Sequence, residues 1–393
     1  MSLNNTPTSE RIHIGIFGKR NAGKSSIINA ITGQNLAIVS DVKGTTTDPV
    51  LKAMELLPLG PVVMIDTPGL DDEGELGKLR IQKAYQMLNK TDVAILVVDG
   101  SVGMTKEDMD ILERIKAKEI PYLIVMNKCD LLEDLIGLPE AIYVSAKDGK
   151  NIYELKEKIA EKAKREENER KIVGDLLKPL DFVVLVVPID SSAPKGRLIL
   201  PQQQTIRDIL DAGAVAIVVK DTELKETLEK MAQPPALVIT DSQAFAQVSK
   251  VVPKEVPLTS FSILFARYKG DLQTVANGAC AIDTLEDGDV ILISEGCTHH
   301  RQCEDIGTVK LPRLIKKRTE KNVTFEFTSG TEFPTDLSKY KMIIHCGACM
   351  LNEREMKYRL KCAEDQNIPM TNYGICIAYL NGILERSIQP LGI

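Results

Sequence analysis

The chain has 393 residues, 44% of them hydrophobic and 26% charged, and a formal net charge of -6. That length allows two or three domains, and the composition is that of an ordinary folded protein rather than a fibrous or disordered one. The weakly acidic field argues against general affinity for nucleic acid, and no apolar run approaches the roughly 20 residues that a membrane span needs. The opening MSLNNTPTSER has no apolar stretch of the signal-peptide kind, so a cytoplasmic location is expected. Eight cysteines dispersed over such a chain read as thiols or metal ligands, not as a disulfide framework.

In chain order, RIHIGIF, PVVMIDT, DVAILVV, PYLIVM and AIYVSA read as strands, with helix-length segments such as 24–32 and 76–88 between them. This alternation predicts an α/β fold with a doubly wound, mostly parallel sheet. The charged run AKREENERK ends the first series and sets a boundary, giving a first domain of residues 1–170. A second series follows, with strands FVVLVVP, AVAIVVK, ALVITD and PLTSFSI and helices at 205–211, 222–231 and 242–249. None of its strands opens into a glycine-rich turn, so this second α/β domain (171–264) reads as either a spacer or a subunit interface. In the third domain (265–393), DVILISEG runs into CTHH and KMIIHC into GAC, so that two strands deliver Cys and His at their carboxyl ends. Ligands of open α/β sheets bind just beyond such ends. The basic cluster Lys316, Lys317 and Arg318 reads as a solvated helix face.

Gly18 to Ser25 fit G-x-x-x-x-G-K-[ST] after a strand and before a helix, which is the context that a phosphate-binding loop requires. Backbone amides of Gly18, Asn21, Ala22, Gly23, Lys24, Ser25 and Ser26 would cradle phosphates. Lys24 would neutralise the β- and γ-phosphates, and the Ser25 hydroxyl would bind Mg²⁺. Further motifs follow at strand ends. Asp66-Thr67-Pro68-Gly69 offers a carboxylate for the Mg²⁺ shell and a glycine amide to sense the γ-phosphate. Gly44 to Asp48 offers Thr45 and Thr46 as switch residues, Thr46 for the same metal. Asn127-Lys128-Cys129-Asp130 supplies a carboxylate that accepts two hydrogen bonds from guanine, where adenine would leave it unpaired at a cost of roughly 1–3 kcal/mol. Ser145, Ala146 and Lys147 complete the base pocket.

These residues resemble the translation-factor-class GTPases, and within them the Era/TrmE-like group, over about residues 11–165. Catalytic roles fall to Lys24, Asn21, Thr46 and Gly69. Leu70 stands where Ras-like proteins carry a water-orienting glutamine, so slow intrinsic hydrolysis or help from another group is expected. Asn21 matches the asparagine with which potassium-activated relatives ligate K⁺, and Asp71, Asp72 and Glu73 are candidates to position water.

Cys297-Thr298-His299 and His345-Cys346-Gly347-Ala348-Cys349 form a second constellation. C-x-x-C brings two thiolates to one centre, and Cys297 adds a third. Spacing alone leaves a Cys₃His zinc site and a [4Fe–4S] cluster equally open. Cys303 is a spare ligand, His13 reads as structural, His300 as exposed or supporting, and Cys280, Cys362 and Cys376 as core.

A GTPase domain joined to C-x-H…H-C-x-x-C resembles the HydF family of [FeFe]-hydrogenase maturation GTPases. The segments APKGRLILPQ, ITDSQ, DIGTVKLPR, HCGACMLN and IPMTNYG are also similar to that family's. The resemblance implies GTPase, dimerisation and cluster-binding domains, and a [4Fe–4S] cluster on Cys297, Cys346 and Cys349. His299, His345 or a carboxylate from elsewhere is then the variable fourth ligand. It implies a homodimeric scaffold or carrier for the diiron precursor, supplied by the radical-SAM maturases HydE and HydG and passed to the apo-hydrogenase. Two rival readings are a GTPase with a structural zinc domain acting in ribosome or RNA assembly, and a redox enzyme using the cluster catalytically. The acidic charge argues against the first, and the lack of a second cofactor motif against the other.

Overall fold

The computed structural model describes residues 6–33, 49–70, 74–132, 140–163, 170–189, 198–296, 305–330 and 332–392. The chain divides into two compact units, Met1–Asn168 and Glu169–Ile393. Among the described residues no helix is long and apolar enough to cross a membrane.

The first unit is the expected doubly wound sheet. Its strands are β1 (Ile12–Phe17), β2 (Val50–Leu56), β3 (Gly60–Asp66), β4 (Val93–Asp99), β5 (Tyr122–Asn127) and β6 (Ala141–Tyr143), in the order β2-β3-β1-β4-β5-β6. β2 pairs antiparallel with β3, and the other neighbours run parallel. Successive strand side chains point to opposite faces, and here both faces are apolar. Ile14, Ile16, Val62 and Met64 pack with Ile27 and Ile31 of α1 (Lys24–Thr32) and Leu155 and Ile159 of α4 (Ile152–Ala163). Phe17, Val63, Ile65 and Val98 pack with Ala84 and Met87 of α2 (Gly74–Met87) and Ile111 and Ile115 of α3 (Lys106–Ala117). β2 escapes the sequence reading because VLKAMEL is a largely exposed edge strand with no continuous apolar run.

The second unit holds two parallel four-stranded sheets. The first has the order β10-β9-β7-β8, built from β7 (Phe182–Val186), β8 (Val215–Val219), β9 (Leu237–Thr240) and β10 (Leu258–Ser260). The second has the order β12-β11-β13-β14, built from β11 (Val290–Ser294), β12 (Thr324–Thr328), β13 (Met342–His345) and β14 (Met370–Asn372). Helices α5 (Leu200–Asp211), α6 (Leu224–Lys230), α7 (Phe245–Val251), α8 (Phe261–Lys269), α9 (Leu272–Ala279), α10 (Leu311–Thr319), α11 (Glu353–Asp365), α12 (Tyr373–Leu380) and α13 (Leu384–Ile388) cover them. One continuous core joins the sheets: Val184 and Ile239 of the first, Leu292 and Ile343 of the second, and Leu264 and Phe265 of α8.

Two expectations are corrected. PLTSFSI is not one strand: the Ser260 side chain accepts a hydrogen bond from the Ile263 amide, which ends β10 and starts α8. Cys280 is not core but exposed, because helical spacing puts it in line with the exposed Gln273 and Asn277, opposite the buried Leu272, Val275 and Ala279. Cys376, by contrast, is fully buried in α12, and that burial pushes its thiol up to about 12. Lys316, Lys317 and Arg318 form the exposed last turn of α10, as expected.

Candidate functional site

The nucleotide motifs stand along the carboxyl edge of the first sheet. Register puts Ile16 opposite Asp66 and Asp99 opposite Asn127. Gly23 directly precedes α1 with φ +92°, and a Cβ there would come within 2.2 Å of Asn127 Nδ2, so both backbone and space require glycine. The Lys24 ammonium is folded back over the loop, donating to the carbonyl oxygens of Gly18 at 2.9 Å and Lys19 at 2.7 Å. Lys19 in turn reaches Glu107 of α3 at 3.3 Å, a tie the sequence did not reveal.

Ser25 Oγ donates to Asp66 Oδ2 at 3.2 Å, while Asp66 Oδ1 is buried without a hydrogen-bond partner among the described residues. Burial pushes the Asp66 carboxyl above its ordinary range, against the opposing pull of Lys24, Ser25 and Lys52. An orphaned buried carboxylate oxygen beside a hydroxyl is costly in isolation and suits a hard divalent cation that retains several waters. These residues therefore fit Mg²⁺.

The base side is built around Asn127. Its Nδ2 donates to the Ala22 carbonyl at 2.9 Å and its Oδ1 accepts from the Ala146 amide at 3.1 Å, which ties the phosphate loop to the 145–147 loop. Lys128 adopts left-handed backbone, and its ammonium donates to Asp99 Oδ2 at 2.5 Å. Burial tends to raise the Asp99 carboxyl, but hydrogen bonds from Lys128 and Ser101 outweigh it and hold the group below its ordinary value. Ser145 Oγ accepts from the Asp148 amide at 3.1 Å, and Asp130 and Lys147 are exposed. Asn21 is exposed in left-handed backbone, and Leu70 is buried in the sheet core. Thr45, Thr46 and the 71–73 water candidates lie outside the described residues.

In the second unit, β11 and β13 are parallel neighbours with Ser294 opposite His345. The Cys346 amide donates to the Ser294 carbonyl at 2.9 Å, and the Gly296 amide donates to Cys346 Sγ at 3.0 Å. The strand end that leads to Cys297 thus touches the first cysteine of C-x-x-C. Cys297, His299, His300 and Cys303 themselves lie outside the described residues. Among the described residues no group of three His, Cys, Asp or Glu side chains gathers to hold a metal. Ala348, with φ +53°, bends the loop between the two cysteines. Burial raises the Cys349 thiol, and the Lys269 ammonium pulls it the other way.

His345 is fully buried. Its Nδ1 donates to the Cys346 carbonyl at 2.8 Å, and its Nε2 accepts from Arg359 Nη1 at 3.0 Å. Burial, then Arg359, depress it to about 3, so it is a neutral imidazole. In this conformation neither ring nitrogen has a lone pair left for a metal, and through its two bonds the ring ties the end of β13 to Arg359 of α11. Arg359 was absent from the sequence reading. It is fully buried, donates to Glu355 Oε1 at 2.9 and 3.1 Å and to the Gly330 carbonyl at 2.6 Å, and stacks on Phe333.

Three family models match successive stretches of the chain. Residues 13–128 match the model described as a 50S ribosome-binding GTPase, 172–270 the Hydrogen maturase F dimerization domain, and 273–390 the Hydrogen maturase F tetramerization domain. The chain belongs to the HydF-like GTPase family. This HydF-like chain has a GTP-hydrolysing domain, and both remaining matches are named for self-association. Its GTPase region is similar to that of the tRNA modification GTPase MnmE. The Nitrosomonas eutropha protein is 38% identical over 149 residues, 36% of this chain and 33% of that one. The Chromobacterium violaceum protein is 37% identical over 158 residues, 39% of this chain and 35% of that one. The chain thus spans about a third of the length of these relatives. An Era variant of Aquifex aeolicus bound to GDP and aluminium fluoride aligns with TM-score 0.36 and 22% identity, covering 53% of this chain and 94% of that one.

Proposed function

We propose that this HydF-like GTPase is an iron–sulfur scaffold or carrier in [FeFe]-hydrogenase maturation. It would receive the diiron precursor from the radical-SAM maturases HydE and HydG and pass it to the apo-hydrogenase. The observation that carries the reading is the contact between the Gly296 amide and Cys346 Sγ. It brings the chain segment entering Cys297 against C-x-x-C, within a chain whose C-terminal half matches Hydrogen maturase F models.

Cys297, Cys346 and Cys349 would hold a [4Fe–4S] cluster. The soft thiolate set suits iron–sulfur ligation, and the backbone amide on Cys346 Sγ is the kind of hydrogen bond that tunes it. With three cysteines, the cluster would offer one iron whose fourth ligand exchanges, a point of attachment for cargo. His299 remains a candidate for that position. His345 is better suited to supporting the loop. In this reading residues 171–264 serve dimerisation and 265–393 carry the cluster.

At the other site, Lys24 neutralises the phosphates, Ser25, Asp66 and Thr46 hold Mg²⁺, the Gly69 amide senses the γ-phosphate, and Asn21 helps to hold K⁺. Loss of the γ-phosphate would release the switch segments. The switch would govern docking or release and supplies no redox chemistry.

The test is anaerobic purification with metal analysis and electron paramagnetic resonance. About four irons per chain and a reduced-cluster signal are expected. In Cys346→Ser the iron should be lost while GTP hydrolysis persists; in Lys24→Ala hydrolysis should be lost while the iron remains. Colourless protein with one tightly held zinc would overturn the scaffold reading and favour a structural metal domain.

A further inference from the structure

Lysine is rarely buried without partners, and Lys269 is only 3% exposed. It is the last residue of α8 and lies four residues past Phe265, whose ring it overlies at 5.7 Å. Its ammonium donates to three carbonyl oxygens of the cysteine loop: Ala348 at 3.4 Å, Cys349 at 3.4 Å and Leu351 at 3.0 Å. An ammonium has three donors and no acceptor, so three converging carbonyls suit the charged form. Nothing in the chemistry of GTP requires this residue. An apolar side chain would have filled the same place beside Phe265 without the cost of burying a charge.

We infer that Lys269 is a positioning residue for the cysteine site, holding the C-x-x-C loop by its carbonyls and fixing a positive charge beneath it. The inference rests on the proposed iron–sulfur reading and adds to it a specific electrostatic role. A fixed cation stabilises the more negative, reduced form of a cluster, and the nearby low-dielectric core keeps that interaction from being screened. Because α8 shares its core with the β10-β9-β7-β8 sheet of the second unit, the same contact joins that sheet to the cysteine loop. Removing the charge while keeping the stem should lower the cluster's midpoint potential. Removing the loop support should make the cluster easier to lose.

The experiment compares full-length wild type, Lys269→Met and Lys269→Arg, each reconstituted anaerobically with ferrous iron and sulfide. The readouts are iron content, the electron paramagnetic resonance spectrum and a dye-mediated redox titration. GTP hydrolysis and thermal melting report on folding. In Lys269→Met, iron is retained and the reduced-to-oxidised ratio at fixed potential falls about tenfold, which is ~59 mV for one electron; Lys269→Arg recovers most of the shift. If Lys269→Met folds but sheds its iron, recovery of both iron and potential in Lys269→Arg supports the inference, and failure to recover either overturns it. An unchanged potential in iron-loaded Lys269→Met also overturns it, and leaves the scaffold reading intact. Iron-free wild type would overturn both, so the two failures are told apart by the wild-type sample.

Discussion

Replacing Arg359 by methionine removes the guanidinium but keeps most of the stem's volume. Glu355, whose side chain is 4% exposed, then loses its cation. His345 Nε2, Ser294 Oγ and the Gly330 carbonyl each lose a donor. Breaking a buried pair by deleting one partner costs about 3–5 kcal/mol, because the remaining charge is stranded. At about 2–4 °C per kcal/mol for a unit of this size, the melting transition should fall by on the order of 10 °C. Adding Glu355→Gln removes the stranded charge and leaves only the lost hydrogen bonds, about 1 kcal/mol each. With three such bonds lost, the double variant should therefore recover up to about 2 kcal/mol relative to the single one. Scanning calorimetry of the full chain with excess GDP and Mg²⁺ identifies the transition, since ligand raises only the unit that binds it. A single-variant shift of less than about 3 °C, or a double variant that melts below the single one, would refute the account of a charge-paired network.

In Asn127→Ala the Ala22 carbonyl and the Ala146 amide lose their shared bridge, so guanine nucleotide affinity, measured with a fluorescent GDP analogue, should fall at least tenfold; unchanged affinity would mean the bridge is incidental. Hydrolysis should be faster in KCl than in NaCl at equal ionic strength, and Asn21→Gly, which keeps the left-handed turn, should abolish the difference. Arg267 binds Asp175 through a two-pronged ion pair, and that hydrogen bonding holds the Asp175 carboxyl below its ordinary value. A depressed carboxyl contributes stability above its unfolded pKa of about 3.9 and loses it as pH falls through the folded value. Asp175→Asn should therefore lower the melting temperature at pH 7, and its difference from wild type should shrink below about pH 4; a gap that widens in acid would contradict the sign.

The buried parallel strands were readable because they are continuous apolar runs punctuated by nucleotide motifs. The exposed edge strand β2 carries neither signal. Ser260 looked like the middle of a strand because a cap reads the same as a strand serine until the Ile263 amide is seen to bond to it. Asn127 was recognised as part of the guanine motif, but its bridging role depends on residues 105 positions before it and 19 after it. The supports of the cysteine loop were hidden for the same reason. A helical spacing of 261, 265 and 269 puts Lys269 on the buried face with two phenylalanines, and Glu355 and Arg359 share such a face on α11. A buried charge at core spacing is visible in the sequence; the carbonyls and the imidazole that justify it are not. For Cys280, an apolar helical context did not say which face the residue occupies, and it stands in line with the exposed Gln273 and Asn277.

The two sheets of the second unit have one shared interior, with Val184, Leu264 and Ile343 in the same apolar mass. Severing the polypeptide near residue 271 would leave each fragment with a greasy flank that water rejects, and both would be expected to clump. The stretches matched to the dimerization and tetramerization models thus share one interior, and neither is expected to fold when cut from the other.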